Sequence, residues 1–133
     1  MLKHLKLERP LAIFDLETTG TNVKDDRIVE ISVLKVMPDG SREHRTRRCN
    51  PGVPIPPEAT AVHGITDADV ADEAPFSRMA TAVAAFLKGC GLGGFNAASF
   101  DVKMLMHEFT RCGVFFALHE CRVVDPFVIY REM

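Results

Sequence analysis

No apolar run in this sequence approaches the ~18 residues that a membrane-crossing helix needs. The opening residues Met1-Leu2-Lys3-His4-Leu5-Lys6 interleave charge with leucine instead of building a signal-peptide core. Charge of one sign is also lacking: 16 Lys and Arg stand against 18 Asp and Glu, a formal net charge of −2. That balance argues against a protein that holds nucleic acid chiefly through bulk basic charge, and leaves room for one that grips a few nucleotides through metal ions. The four cysteines, Cys49, Cys90, Cys112 and Cys121, form no Cys-x-x-Cys pair and no zinc-ligand spacing, so they read as reduced, mostly core-filling thiols. Internal repeats and low-complexity segments are absent as well. What remains is 133 residues, 47% hydrophobic and 26% charged, the profile of one cytoplasmic globular domain over 1–133 with no membrane contact.

Leu11-Ala12-Ile13-Phe14 is a short apolar run entering Asp15-Leu16-Glu17 and broken by Thr18-Thr19-Gly20, the pattern of a buried strand and a turn. Arg27 to Val36 is rich in β-branched residues and predicts a second strand. Pro38-Asp39-Gly40-Ser41 closes it as a hairpin onto a third, about Arg42 to Cys49. The proline-rich stretch Asn50 to Pro57 is a connection. Pro57 to Val62 predicts a short helix with proline in its first turn. Pro75 to Lys88 predicts a longer one, with Phe76, Met79, Val83, Phe86 and Leu87 on a stripe and Gly89 as its stop. Leu92 to Asn96 reads as a short strand, and Ser99 as the cap of a helix from about Phe100 to Arg111. Val114 to Val124 reads as a last strand, followed by Asp125-Pro126 opening a further helix. The fold class is α/β.

Asp15 and Glu17 lie two apart in a strand, so both project from one face, shared with Leu11 and Ile13. Paired carboxylates there repel and resist desolvation unless cations compensate, and Mg²⁺ or Mn²⁺ is the natural compensation. The plainer alternative is a strand emerging into solvent after Phe14. Asp101 is a third carboxylate, at the start of an amphipathic helix, where it either complements the helix dipole or joins the strand pair. Acidic ligands converging from different segments are what a two-metal phosphodiester site needs.

The string Ile13-Phe14-Asp15-Leu16-Glu17-Thr18-Thr19-Gly20 resembles the first motif of the DnaQ-like 3′→5′ exonucleases, the superfamily of proofreading epsilon subunits and RNase T. Pro57 to Thr66, including Val62-His63-Gly64-Ile65-Thr66, is similar to the segment after that family's third strand. Gly94-Phe95-Asn96-Ala97-Ala98-Ser99-Phe100-Asp101 resembles its second acidic motif, and Val123-Val124-Asp125 the strand end beyond. The resemblance implies a ribonuclease H-like mixed sheet, its first three strands antiparallel and the rest parallel, flanked by helices. It further implies release of nucleoside monophosphates from a single-stranded DNA or RNA 3′ end with two Mg²⁺ or Mn²⁺ ions. Asp15, Glu17 and Asp101 would be the catalytic metal ligands. Thr18, Glu58 and His63 would bind the terminal nucleotide.

The sequence departs from the family in two places. Phe95-Asn96 stands where many members carry His-Asn, with three residues instead of two before Phe100-Asp101. The closing His-x-x-x-x-Asp motif, which supplies a general base and a fourth carboxylate, has no counterpart: His119 and Asp125 are separated by five residues, and His107 lies mid-helix. The expectation is a domain truncated at its C-terminus, its open apolar surface covered in a homodimer or by a partner subunit. The alternative is a catalytically inactive nucleic-acid-binding or assembly module that keeps the fold. Arg42, His44, Arg45, Arg47 and Arg48 read as a solvated edge strand before a phosphate track. Asp67, Asp69, Asp72 and Glu73 read as a solvated acidic loop. Phe95 and Phe100 read as core packing before base stacking.

Overall fold

The computed structural model describes residues 9–93, 100–117 and, for the backbone, 123–124. Strands β1 (Leu11–Thr18), β2 (Ile28–Val36), β3 (Arg42–Arg48), β4 (Gly91–Gly93) and β5 (Val123–Val124) form one sheet in the order β3-β2-β1-β4-β5. The β1–β2 and β2–β3 pairs are antiparallel, and β1–β4 and β4–β5 are parallel. This is the expected mixed sheet of the ribonuclease H-like fold. Helices α1 (Pro57–His63), α2 (Asp67–Val70), α3 (Ala80–Leu87) and α4 (Val102–Arg111) complete the described elements, with a 3₁₀ turn at Phe76–Arg78.

Alternation along β1 decides which face the helices cover. Ala12, Phe14 and Leu16 are buried, lie opposite Lys35, Val33 and Ile31 of β2, and pack with Ala80, Ala84 and Leu87 of α3 and Val102, Leu105 and Phe109 of α4. The other face carries Ile13, Asp15 and Glu17 opposite Leu34, Ser32 and Glu30. Its burial is graded: Leu11 is buried, Ile13 and Glu17 are half-buried, and Asp15 is exposed.

A bulge interrupts the β1–β2 ladder at the functional end. Glu17 pairs with Glu30 and Thr18 with Ile28, so Val29 has no partner across the ladder. The extra residue lets two neighbours on one strand both be buried. Ile28 enters the main core, while Val29 enters a second, smaller core with Ile55, Ile65 and Val70. That second core holds the chain around α1 and α2 against the sheet.

The structure corrects several boundaries. Residues 114–117 are not strand: Val114 N–H bonds back to Phe109 O at 2.9 Å and Phe116 stacks on Phe109, so this apolar run packs on the end of α4, and among the described residues of the expected strand 123–124 pair in the sheet. The helix expected from Pro75 to Lys88 is split, with Met79 (φ −113°, ψ −5°) joining the 3₁₀ turn to α3. Asp67 and Asp69 are exposed but belong to α2: Asp69 forms a capping box with Thr66, and Asp67 Oδ1 accepts Ile55 N–H at 2.9 Å.

All seven residues of β3 are exposed at the edge of the sheet, as a solvated edge strand requires. The cysteines Cys49 and Cys90 are buried, Cys112 is half-buried, and Phe100 packs against the core. Phe95, Ser99, His119, Cys121 and Asp125 lie outside the described residues. Among the described residues, no helix is long and apolar enough to cross a membrane.

Candidate active site

The C-terminal end of β1 and the outer face of α1 enclose a cavity of about 500 Å³. Glu17, Thr18, Glu58 and His63 all line it, with Gly20, Asp26 and Val62 among their neighbours. The first motif and the helix motif, some 40 residues apart in sequence, are therefore walls of one groove. Asp15 and Asp101 are not among its lining residues.

The helical wall needs anchoring, because α1 has seven residues and none of them is buried. Isolated helices of that length are unstable in water. His63 supplies one anchor. Its Nδ1 accepts Ile65 N–H at 3.1 Å, which leaves the proton on Nε2 to donate to Thr18 O, also at 3.1 Å. Both ring nitrogens are thus spent on backbone, and the ring ties the end of α1 to the end of β1. Gly64 ends the helix at φ 77°, a left-handed conformation that suits glycine. Thr60 Oγ1 donates to Ile65 O at 2.7 Å beyond it.

The strand wall turns through residues 18–27. Thr18 Oγ1 donates to Gly20 O at 2.7 Å. Asp26 accepts from Thr19 Oγ1 at 2.8 Å and from Asn22 N–H at 2.9 Å, and Thr19 Oγ1 accepts Arg27 N–H at 3.0 Å. The Asp26 carboxylate lies so close to Gly20 that a Cβ there would meet Oδ2 at 2.4 Å. A side chain there would push the Asp26 carboxylate off its bonds to Thr19 and Asn22.

The carboxylates are electrostatically strained. Asp101 is 2% exposed, directly precedes α4, and its Oδ2 is buried with no hydrogen-bond partner among the described residues. Burial, then the charges of Asp15 and Glu17, push its carboxyl up to about 6. Burial and Asp15 also raise Glu17, with Glu30 adding to the rise and His63 opposing it. Glu30 stands directly across the ladder from Glu17, a like-charge pair that costs stability, and Arg48 bonds Glu30 at 3.4 Å on its far side. Hard carboxylate oxygens, one of them buried and unpartnered, suit Mg²⁺ or Mn²⁺ by donor chemistry. Among the described residues no three His, Cys, Asp or Glu side chains meet closely enough to hold an ion as they stand. A bound ion would therefore have to draw the carboxylates together.

The sequence did not single out Asp26, Glu108 or Arg111. Glu108 is 4% exposed and accepts Ile28 N–H at 3.0 Å and Arg111 Nε–H at 2.9 Å. Its signal was present in the spacing: it lies three residues after Leu105, on the buried stripe of α4. Asp26 had no such signal, because its role depends on the path of the loop.

The family model for RNase T, described as an exonuclease, matches residues 12–129. The DNA polymerase III epsilon subunit of Treponema pallidum is 32% identical over 99 residues, covering 74% of this chain and 46% of that protein. Exonuclease DPD1, chloroplastic/mitochondrial, of Arabidopsis thaliana is 32% identical over 130 residues, covering 90% of this chain and 40% of that protein. The chain thus spans less than half the length of these curated relatives. E. coli exonuclease I in complex with a dT13 oligonucleotide superposes with a TM-score of 0.81 at 18% identity, covering 94% of this chain and 29% of that one, a likeness of fold. This chain belongs to the RNase T exonuclease family, within the DnaQ-like 3′→5′ exonuclease superfamily.

Proposed function

We propose that this chain is a metal-dependent 3′→5′ exonuclease unit that releases nucleoside monophosphates from the 3′ end of single-stranded DNA or RNA. The observation that carries the reading is the buried Asp101 Oδ2, without a hydrogen-bond partner among the described residues and within the field of Asp15 and of Glu17, which lines a cavity of nucleotide size. An arrangement that holds three carboxylates against their own repulsion is costly unless cations relieve it.

Asp15, Glu17 and Asp101 are the residues that would hold Mg²⁺ or Mn²⁺. Two such ions, when bound, acidify the attacking water and neutralise charge on the scissile phosphate and the leaving oxygen. The cavity receives the terminal nucleotide. Glu58 accepts from a sugar hydroxyl on the helical wall, and Thr18 and the backbone after it flank the sugar and base on the strand wall. His63 keeps the two walls at a fixed separation, since its ring nitrogens are committed to Thr18 O and Ile65 N–H. Val62, 85% exposed beside it, offers an apolar surface to a base.

The test is digestion of 5′-labelled single-stranded DNA and RNA with Mn²⁺, with Asp15→Ala alongside. The proposal predicts a ladder shortening from the 3′ end that vanishes in the variant. A strand bound but left intact would favour an inactive binding module. Cleavage surviving Asp15→Ala would remove the metal assignment.

A further inference from the structure

The geometry points to Glu108 and Arg111 as positioning residues that set the candidate site from the far end of α4. The inference rests on the exonuclease reading above and names residues which that reading does not use. Glu108 is a carboxylate with a 5% exposed side chain in an otherwise apolar helix face. An apolar residue there would cost less to bury. The charge instead takes one particular backbone group, Ile28 N–H, at the edge of the bulge opposite Glu17 and Thr18. Bulges next to active sites re-aim side chains, and this one is secured on both sides: Cys49 donates its thiol to Ile28 O at 3.1 Å and its N–H to Val29 O at 2.8 Å.

Arg111 extends the clamp to the strand wall of the cavity. Its Nε donates to Glu108 Oε1, while Nη1 and Nη2 donate to Lys24 O and Asp26 O, each at 3.3 Å. Asp26 in turn holds Thr19 and Asn22 and sits against Gly20. An unbroken run of hydrogen bonds thus leads from Glu108 to the cavity lining. Asp101 directly precedes α4, and Glu108 lies seven residues further on, about two helical turns along it. The helix carries a site carboxylate at one end and at the other grips the bulge and loop that carry Glu17 and residues 18–21. Moving one end relative to the sheet moves the geometry of all of them.

The experiment uses the full chain as Glu108→Gln, Arg111→Lys and, as a stability control, Phe109→Leu. Phe109 is 1% exposed on the same helix, and its ring contacts are with Phe76 and Phe116. Two readouts are taken: backbone amide NMR of the metal-free protein, and kcat and KM for a 3′-digested oligonucleotide with Mn²⁺. We expect Glu108→Gln to shift the amides of Thr18 to Thr21 and Asp26, and to lower kcat/KM roughly 10–100-fold, mainly through KM. Arg111→Lys, which keeps the charge but not the fork that reaches Lys24 O and Asp26 O, should show the same amide shifts with a smaller loss, and Phe109→Leu should lower the unfolding midpoint without either effect. Amide shifts confined to Ile28 and α4, or a loss of kcat/KM in all three variants that tracks their stability, would overturn the role. If the unsubstituted chain cleaves nothing, the exonuclease reading falls, and the amide shifts alone then uphold or overturn the positioning role.

Discussion

Replacing Asp101 by Asn should make the metal-free protein more stable while abolishing its use of metal. The Asp101 carboxyl has an ordinary value of 3.8 and is pushed up to about 6 in the folded chain. Below pH 3.8 both folded and unfolded chains hold the proton, and the group makes no difference. Between 3.8 and about 6 the unfolded chain gives up a proton that the folded chain keeps, so stability falls as pH rises through that window. Above about 6 the full cost of a buried charge facing Asp15 and Glu17 is present. At about 1.4 kcal/mol per pH unit the interval is worth ~3 kcal/mol. Asn has the shape of the neutral acid and escapes this cost, although its unpaired Nδ2 costs about 1 kcal/mol at every pH. The diagnostic is therefore the change in the difference between the two proteins, not its offset. Urea unfolding in EDTA at pH 4 and pH 7.5 should show Asp101→Asn gaining roughly 2–2.5 kcal/mol on the unsubstituted chain between the two, since pH 4 already lies inside the window. Adding millimolar Mn²⁺ should reverse the order, since only the chain with Asp101 gains stability from the ion. Parallel pH curves, or equal stabilisation of both proteins by Mn²⁺, would refute the reasoning.

Other substitutions test separate parts of the account. Gly20→Ala places a methyl group 2.4 Å from Asp26 Oδ2 and should cost about 1–3 kcal/mol in thermal unfolding, with much of the loss recovered when Asp26→Ala is added. Phe14→Ala removes a side chain 1% exposed at the centre of the sheet and should cost ~3–5 kcal/mol by urea midpoint. Asp15→Asn and Glu30→Gln should each bring the Glu17 carboxyl down toward its ordinary range in an NMR titration, Asp15→Asn by more, because Asp15 is the larger charge contribution. An equal or reversed ordering would mean that the cross-strand pairing of Glu17 with Glu30 matters more than the neighbour on the same strand.

Local patterns in the sequence reached the strands and the motif residues because those depend on near neighbours. The apolar run that opens β1, the β-branched residues in β2 and the Pro-Asp-Gly turn are read within a few positions, and each element formed where expected. Glu17, Thr18, Glu58 and His63 were legible as members of motifs, and the fold brings them to one cavity. Register was not legible. The bulge at Val29 and the opposition of Glu17 to Glu30 follow from strand pairing, which no single segment encodes. The apolar run at 114–117 misled because packing on the end of α4 and pairing in a sheet ask for the same residue types. Glu108 was hidden by its identity: a glutamate on a helix is usually a solvated residue, and only the position of Ile28 N–H gives it a buried purpose. His63 was legible as a motif residue beside the terminal nucleotide, but its ring contacts to Thr18 O and Ile65 N–H, which tie α1 to β1, depend on the folded path of both segments.

The most direct measurement is product identity in ¹⁸O-labelled water, with the full chain, Mn²⁺ and a single-stranded oligonucleotide. Hydrolysis from the 3′ end, with water attacking phosphorus and the 3′ oxygen leaving, predicts nucleoside 5′-monophosphates carrying one ¹⁸O each. They should be released in order from the 3′ terminus and be absent with Asp101→Asn. Nucleoside 3′-phosphates, internal fragments, or monophosphates still released by Asp101→Asn would contradict the account.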